Sequence, residues 1–172
     1  MRLVWTFYNW LAPLFELAER WSGEARRLRI RPKVAYAISR EAVAMGDRPR
    51  ELALIARSSL STPTLCLVID NVGREAVTID EVGLAGWFDH PMLGMTEPLF
   101  HDSLGWPRTL EPGESVVAYL TPAIQKHPVL SETRFGFARS TGGEIWTGTS
   151  AAIPFFVGSL KRPTLAKRLR EA

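Results

Sequence analysis

The hydrophobic positions of this chain change their spacing near Lys33. From Leu3 to Trp21 they recur three and four residues apart, which is the period of a helix. Polar residues repeat with the same spacing along a second stripe. Pro13 removes one helical hydrogen bond and is expected to bend the axis. The pattern predicts a bent amphipathic helix with a wide apolar face.

After Lys33 the apolar residues fall into short runs rich in β-branched side chains and separated by turn residues, which is typical of strands. Alternation over residues 65–69 and again over 77–79 predicts two of these strands. We expect them to pair as a hairpin through residues 71–75, with Gly73 free to adopt a positive φ.

Two further turns are predicted from glycine and proline. Pro112 and Gly113 match the central positions of a type II turn, and the apolar run after them predicts a strand. Gly142 and Gly143 predict a second hairpin. The candidate core residues of that hairpin are Phe135, Phe137 and Ile145.

One segment of the body favours a helix. Asp47 is placed to cap it and Pro49 falls in its first turn, although alternating Leu52 and Leu54 would also suit a strand. The remaining segments give about seven short strands without a strand–helix–strand repeat, which predicts a mainly β chain folded as an antiparallel sandwich.

Charge divides the chain into three parts. The net charge is +3, yet residues 1–33 contain seven basic and three acidic residues, and residues 159–172 contain five and one. The middle is therefore acidic. We divide the chain into an amphipathic helix with a basic linker (1–31), a β-sandwich (32–158) and a basic tail (159–172). The ordinary expectation for the tail is a solvated segment that frays; the alternatives are a short helix capped by Thr164 and a tail that lies beside the N-terminal segment.

The N-terminal helix has two interpretations. Its uncharged part, Leu3 to Phe15, is shorter than the roughly 20 residues that cross a bilayer, and no signal-peptide cleavage site follows it. It either lies on a membrane surface, as its tryptophans and the basic run after it suggest, or packs on its own domain or a second subunit. The residues predicted to bind a membrane or partner are Trp5, Phe7, Trp10, Leu14, Trp21, Arg26, Arg27, Arg29 and Arg31.

The basic run from Arg26 to Lys33 also bears on nucleic acid. It would bind phosphates without regard to sequence, but it contains no aromatic residue for base stacking, so sequence-specific nucleic-acid binding is not expected. The same run suits anionic lipid headgroups, at about 1 kcal/mol per basic residue near the surface. It is also compatible with a solvated linker.

Chemistry-bearing residues are few. Cys66 is the only cysteine and lies in an apolar run, which predicts a buried small side chain. His90 and His101, each beside an aspartate, are the candidate metal ligands, but they lack a standard metal-binding spacing. Asp80 and Glu81 are expected on opposite faces of a strand. We therefore expect no metal, no cofactor and no catalytic residues.

The segment around these histidines is unusually apolar. Its aromatic residues predict a loop that either closes over the core or offers a partner-binding surface. The residues concerned are Trp87, Phe88, Phe100 and Trp106.

Three stretches carry a family resemblance: "LVIDNVGREAVTIDEVGL", "LEPGESV" and "RFGFARSTGGEIWTG". Over residues 64–148 the chain resembles small, uncharacterised bacterial and phage proteins with an immunoglobulin-like β-sandwich, often preceded by a membrane anchor. The resemblance implies an immunoglobulin-like fold and no catalytic residues.

Together these features predict a non-enzymatic binding or assembly module. We expect it in the cytoplasm, attached peripherally to the inner face of a membrane through the aromatic helix and its basic flanks. The alternative is a structural subunit of a phage or other assembly, able to form a homo-oligomer, whose helix packs on neighbouring subunits. A metal-dependent enzyme using His90 and His101 is a distant third.

Overall fold

Two antiparallel sheets form the body of the protein. The structure is a computed structural model that describes residues 26–37, 43–58, 63–86, 93–100 and 105–160, the side chains of 56–58 and 100 excepted. The strands are β1 (Leu28–Ala37), β2 (Val43–Gly46), β3 (Thr64–Asn71), β4 (Val77–Ala85), β5 (Leu93–Met95), β6 (Leu99–Phe100), β7 (Arg108–Leu110), β8 (Ser115–Tyr119), β9 (Phe135–Ser140) and β10 (Ile145–Gly148). The helices are α1 (Pro49–Ser58), α2 (Pro122–Gln125), a 3₁₀ helix (Pro128–Glu132) and α3 (Ala152–Leu160).

The first sheet has the strand order β2-β1-β3-β8-β6, and the second has the order β10-β9-β4-β5. Strand β7 pairs with the first residues of β4, and β5 pairs with its last residues. Every strand pair is antiparallel. The prediction of a mainly β chain with antiparallel sheets is confirmed.

A single apolar core lies between the sheets and under α1 and α3. From Leu28 to Val34 the even-numbered residues of β1 are buried and the odd-numbered ones are more exposed, as the period of a strand requires. Two helical side chains, Leu52 of α1 and Phe156 of α3, are fully buried in the same core. The helices therefore cover apolar surface of the sheets.

Several local predictions are confirmed. The segment after Asp47 is helical, as α1. The amide of Glu114 donates to the carbonyl of Glu111 at 3.0 Å across a turn in which Gly113 has φ +85°. Strands β9 and β10 form the predicted hairpin, with Gly143 at φ +86°.

The predicted hairpin through residues 71–75 is wrong. Both strands exist and are buried, but β3 belongs to the first sheet and β4 to the second. The Asn71 side chain explains the crossing, because it donates to the carbonyls of Glu75 and Leu110, each at 2.8 Å, and accepts from the amide of Gly73 at 3.0 Å. Gly73 does not have a positive φ. The chain turns from one sheet to the other around a buried amide.

Two predictions about side-chain direction are also wrong. Ile145 is 49% exposed because β10 directs Trp146, not Ile145, towards the core. The side chains of Asp80 and Glu81 do not point to opposite faces of β4, because the β4–β9 register shifts between Ile79 and Glu81. Arg139 contacts both carboxylates, at 3.7 Å and 2.6 Å.

The ends of the sandwich differ from the predicted boundaries. Strand β1 begins at Leu28, so Arg29 and Arg31 lie in the sheet and not in a linker. At the other end, the apolar run from Ile153 to Val157 is helical and belongs to α3. The predicted N-terminal helix (residues 3–21) and the basic tail beyond Leu160 lie outside the described residues.

Candidate functional site

Two arginines on the outer face of β1 share one buried carboxylate. Arg29 donates from Nε to Asp70 Oδ2 at 3.1 Å, and Arg31 donates from Nε and Nη2 to the two carboxylate oxygens at 3.1 and 3.2 Å. The hydroxyl of Ser115 donates to Asp70 Oδ1 at 2.6 Å. The β1–β3–β8 register places all four side chains on one face, because Arg29, Asp70 and Ser115 lie opposite one another on neighbouring strands.

The Asp70 carboxylate is held in its charged form. Its side chain is only 10% exposed, and burial alone would raise its pKa. The Ser115 hydroxyl and the guanidinium groups of Arg29 and Arg31 stabilise the anion and lower the pKa below its ordinary value of 3.8. The carboxylate therefore fixes both arginines at neutral pH.

The arginines themselves still face solvent. The side chain of Arg29 is 58% exposed and that of Arg31 is 40% exposed. A guanidinium has five N–H donors, and Asp70 uses only the Nε donor of Arg29. The cluster therefore presents oriented donors and one net positive charge on the outer face of the sheet.

A second basic group lies where β1 begins. The backbone carbonyl of Arg27 accepts from the amides of Val72 and Gly73 at 2.9 and 3.1 Å, so residues 26–28 abut the 72–76 connection. We call this part of the molecule the entry end. Arg26 pairs there with Glu75 at 3.1 Å and approaches Glu144 at 4.0 Å.

Two arginines of the entry end are exposed without such a partner. Within the described residues, neither Arg27 nor Arg74 has a carboxylate within ion-pair distance. Val72, whose amide donates to the Arg27 carbonyl, is 44% exposed. Among the residues that the structure describes, the entry end therefore combines positive charges that no carboxylate pairs with and an exposed apolar side chain.

A groove separates β1 from β10 next to the entry end. It has a volume of about 390 Å³ and is lined by residues 27–30, Val72 and Thr147. Further along β1 the strands touch, since a Cβ on Gly148 would overlap the carbonyl of Ile30, and the Ser150 hydroxyl donates to the carbonyl of Pro32 at 2.6 Å. The space between the two strands is thus closed at one end and open at the other.

The predicted binding arginines come together only in part. Arg29 and Arg31 form one cluster, and Arg26 and Arg27 belong to the entry end. The predicted helix residues Trp5, Phe7, Trp10, Leu14 and Trp21 lie outside the described residues.

The aromatic segment is described only in part. Trp106 is half-buried against the core, and its indole N–H donates to the carbonyl of Asp80 at 3.0 Å. Leu93 and Met95 are buried. These residues pack on the body, which favours core closure over a partner surface for this part of the segment. Trp87, Phe88, the side chain of Phe100, and both candidate metal ligands, His90 and His101, lie outside the described residues.

Cys66 is buried, as predicted. Burial raises the pKa of its thiol to about 12, against a smaller opposing effect of Lys33. The thiol therefore stays protonated at neutral pH and is a poor nucleophile.

Sequence reasoning missed Asp70 and Ser115, the residues that organise the arginine cluster. A signal was present, because Asp70 is the one charged residue in the strand "TLCLVIDN" and alternates with the inward Leu67 and Ile69. A carboxylate in a strand that is buried on both faces is costly unless a basic side chain or a hydrogen-bond donor pairs with it. The identity of that partner depends on strand order, which the sequence did not provide.

Comparison with known proteins adds no relative: no protein-family model matches the chain, and no curated protein matches it. None of the helices in the described part is long and apolar enough to cross a membrane.

Proposed function

We propose that the protein is a non-enzymatic binding module with an immunoglobulin-like fold, attached to an anionic membrane surface. The order of strands supports the fold. Strands β1-β3-β8-β6 correspond in chain order to strands A-B-E-D of an immunoglobulin domain, and β10-β9-β4-β5 correspond to G-F-C-C′. In this fold the chain crosses from B to C between the sheets, as it does at Asn71.

The position of the entry end is the observation that carries the function. The N-terminal segment joins the body at Arg26, beside exposed Arg27, Arg74 and Val72. Aromatic residues of that segment and the free arginines would therefore meet one surface together. Stable attachment of a peripheral protein takes two such signals, one apolar and one electrostatic.

The arginines of the entry end are expected to add a modest amount of binding free energy at an anionic membrane surface. A basic residue near an anionic surface contributes about 1 kcal/mol, and the attraction falls off within a Debye length of about 8 Å at physiological salt. Arg27 and Arg74 are expected to supply this term, because Arg26 is neutralised by Glu75 and one charge of the Arg29–Arg31 pair by Asp70.

Vesicle flotation tests the proposal. The intact protein should float with vesicles of phosphatidylserine and phosphatidylcholine at low salt, and less at high salt. The double variant Arg27→Gln/Arg74→Gln should bind about 30-fold more weakly, which corresponds to about 2 kcal/mol. Replacing Trp5 and Trp10 by serine should reduce binding independently of salt.

A matched control removes the same charge elsewhere. Arg50 on α1 and Lys126 after α2 are exposed and lie outside the entry end, so Arg50→Gln/Lys126→Gln should bind as the unmodified protein does. If the two double variants lose binding equally, the entry end has no special role. Intact protein that ignores anionic vesicles at low salt would rule out the membrane proposal.

The alternative is a subunit of an assembly, and β2 and β6, the outer strands of the first sheet within the described residues, favour it. Edge strands that lack a partner readily pair with another chain. Size measurements of the intact protein over a range of concentrations distinguish the two: a salt-insensitive oligomer without vesicle binding would support the assembly role.

A further inference from the structure

The outer face of the first sheet, which points away from the second sheet, carries a continuous set of apolar and aromatic side chains. The strand register assigns them to this face, because residues opposite one another on neighbouring strands share a face. They are Ala35 on β1, Val43 and Met45 on β2, Cys66 and Val68 on β3, Leu99 on β6, and Val117 and Tyr119 on β8. We call this set the outer apolar surface.

The margins of the outer apolar surface are open to solvent. Leu99 is 55% exposed, Val43 39% and Met45 38%. Cys66 lies in the middle and is buried, with its Sγ 3.8 Å from Sδ of Met45. A contiguous apolar patch on the outside of a sheet marks a contact with another element or molecule. The residues that the structure describes leave three large side chains of this patch uncovered.

The positive charge of the same face lies at the end where β1 begins. Arg29 and Arg31 are exposed there, and Asp70 offsets one of their two charges. Lys33 follows further along β1 and approaches Asp47 at 4.0 Å. The face is therefore basic next to the entry end and apolar away from it.

The N-terminal segment has the complementary order of charge. It is uncharged from Leu3 to Phe15, and its acidic residues follow. On the helix that its period predicts, Glu19 comes about one turn after Phe15 and borders the apolar face. Glu16 belongs instead to the polar stripe, at the spacing that pairs it with Arg20. A helix lying antiparallel to β1 would place Glu19 near the arginines and its uncharged part over the apolar surface.

The lengths of the helix and of the face also agree. A helix over residues 3–21 would be about 28 Å long, at about 1.5 Å per residue. From Arg29 to Ala37 the face of β1 is about 26 Å long, at about 3.3 Å per residue. Residues 22–25 can span about 13 Å, which exceeds the roughly 10 Å between packed layers. The segment can therefore turn back from Arg26 and cover the sheet.

We propose that residues 3–21 dock as a helix on the outer apolar surface of their own chain, antiparallel to β1, with Glu19 beside Arg29 and Arg31. Docking covers the apolar side of the helix and the three exposed side chains of the sheet while no membrane is present. A membrane competes for the same aromatic residues. The contact itself forms without vesicles, so it can fail or hold independently of the membrane proposal.

Amide hydrogen exchange of the full chain in the absence of vesicles tests this contact. A helix of this length is marginal in water when nothing packs on it, so we expect protected amides over residues 7–21 only if the segment docks. Leu99→Glu places a charge on the outer apolar surface and should make these amides exchange at least about ten-fold faster. Ile145→Glu is the matched control, because Ile145 is 49% exposed on a strand of the other sheet.

Three results of this experiment would overturn the proposal. The first is a lack of protection over residues 7–21 in the unmodified protein. The second is protection that Leu99→Glu leaves unchanged. The third is an equal loss with Leu99→Glu and with the control Ile145→Glu.

A second pair of variants tests the orientation of the helix. Glu19→Gln removes the charge placed beside the arginines and should speed exchange of the segment roughly three-fold, the size of an exposed ion pair. Glu16→Gln removes the same charge from the polar stripe and should have a smaller effect. Both substitutions lie outside the described body, so this comparison decides the matter even if Leu99→Glu does not fold. Equal effects of the two would contradict the proposed contact.

Two other occupants of the outer apolar surface give distinct results. Protection of the segment that rises with protein concentration would mean that it docks on a second copy of the chain. Protection that develops only when phosphatidylserine vesicles are added would assign the segment to the membrane alone. Either result would overturn docking within one chain.

Discussion

The two halves of the space between β1 and β10 are built differently. In one half the strands touch, because Gly148 has no side chain to hold them apart and the Ser150 hydroxyl bonds to the Pro32 carbonyl. In the other half they diverge around a groove lined by residues 27–30 and Thr147. The half at Gly148 and Ser150 brings the two strands into contact. The half at residues 27–30 leaves a groove beside several arginines.

This difference separates residues in close backbone contact from residues whose side chains face solvent. In the closed half every substitution is expected to change stability, because backbone and hydroxyl groups are in direct contact. In the open half the exposed side chain of Thr147 should contribute little to stability, whereas Leu28 and Ile30 belong to the core. The substitutions below run from the largest expected effect on stability to the smallest.

Gly148→Ala should have the largest effect. The added Cβ would overlap the carbonyl of Ile30, which is backbone and cannot rotate away. Forcing the strands apart is expected to lower the free energy of unfolding by about 3 kcal/mol, measured by urea denaturation. Gly142→Ala is the matched control on the same hairpin, since its Cβ would lie 3.5 Å from the nearest atom, Ser140 Oγ. Equal losses for both would mean that the closed half is not tightly packed.

Asp70→Asn should cost about 2 kcal/mol at neutral pH, because the buried side chain loses its charge-assisted bonds to Arg29 and Arg31. The pKa of Asp70 is lower in the folded state than its ordinary 3.8, so its stabilising effect is fully present above that pH. The effect disappears as the pH falls through the lowered pKa.

Urea titrations of both proteins at several pH values measure this dependence. The stability difference between them should shrink below pH 3.8, whereas the exposed control Glu111→Gln should show only a small difference throughout. A difference that grows as the pH falls would contradict the arrangement at Asp70.

Ser150→Ala tests the hydroxyl at the closed end. It removes the donor to the Pro32 carbonyl at 2.6 Å and an acceptor for the Ala152 amide at 3.1 Å, at the start of α3. The expected loss is about 1 kcal/mol. Thermal or urea unfolding measures it, with Ser131→Ala as control, because the bond of that hydroxyl to the carbonyl of Pro128 is long, at 3.4 Å.

Thr147→Val should have the smallest effect on stability, within about 0.5 kcal/mol. The side chain is exposed at the open half, and valine keeps its shape and its strand preference. A loss comparable to that of Gly148→Ala would show that the groove is part of the packed structure and not a free surface.

Much of the fold follows from local chemistry that the sequence displays. Gly113 and Gly143 both adopt positive φ, each in a turn that was predicted from its glycine. The alternation over 65–69 and 77–79 identified two buried strands. These features depend on neighbours a few residues away, which is why a sequence pattern reveals them.

The failures share one cause, which is the order of strands in space. Asn71 looked like a turn residue, but its amide bonds to the carbonyl of Leu110, 39 positions away. The arginine cluster depends on Asp70, about 40 positions from Arg29 and Arg31. The charges of the basic run were read correctly, but they did not indicate that β1 begins at Leu28. Only Leu28 and Ile30 alternate with the arginines there, and two apolar residues are too few to mark the period of a strand.

Amide hydrogen exchange along residues 28–31 tests most directly whether the edge of β1 that faces away from β3 is uncovered between Leu28 and Arg31. The amides of Arg29 and Arg31 bond to β3, whereas those of Leu28 and Ile30 face the groove. We predict alternating protection in the free protein, with Leu28 and Ile30 exchanging at least about ten-fold faster than Arg29 and Arg31. Equal protection of all four amides would mean that this edge is already covered, and would contradict the account.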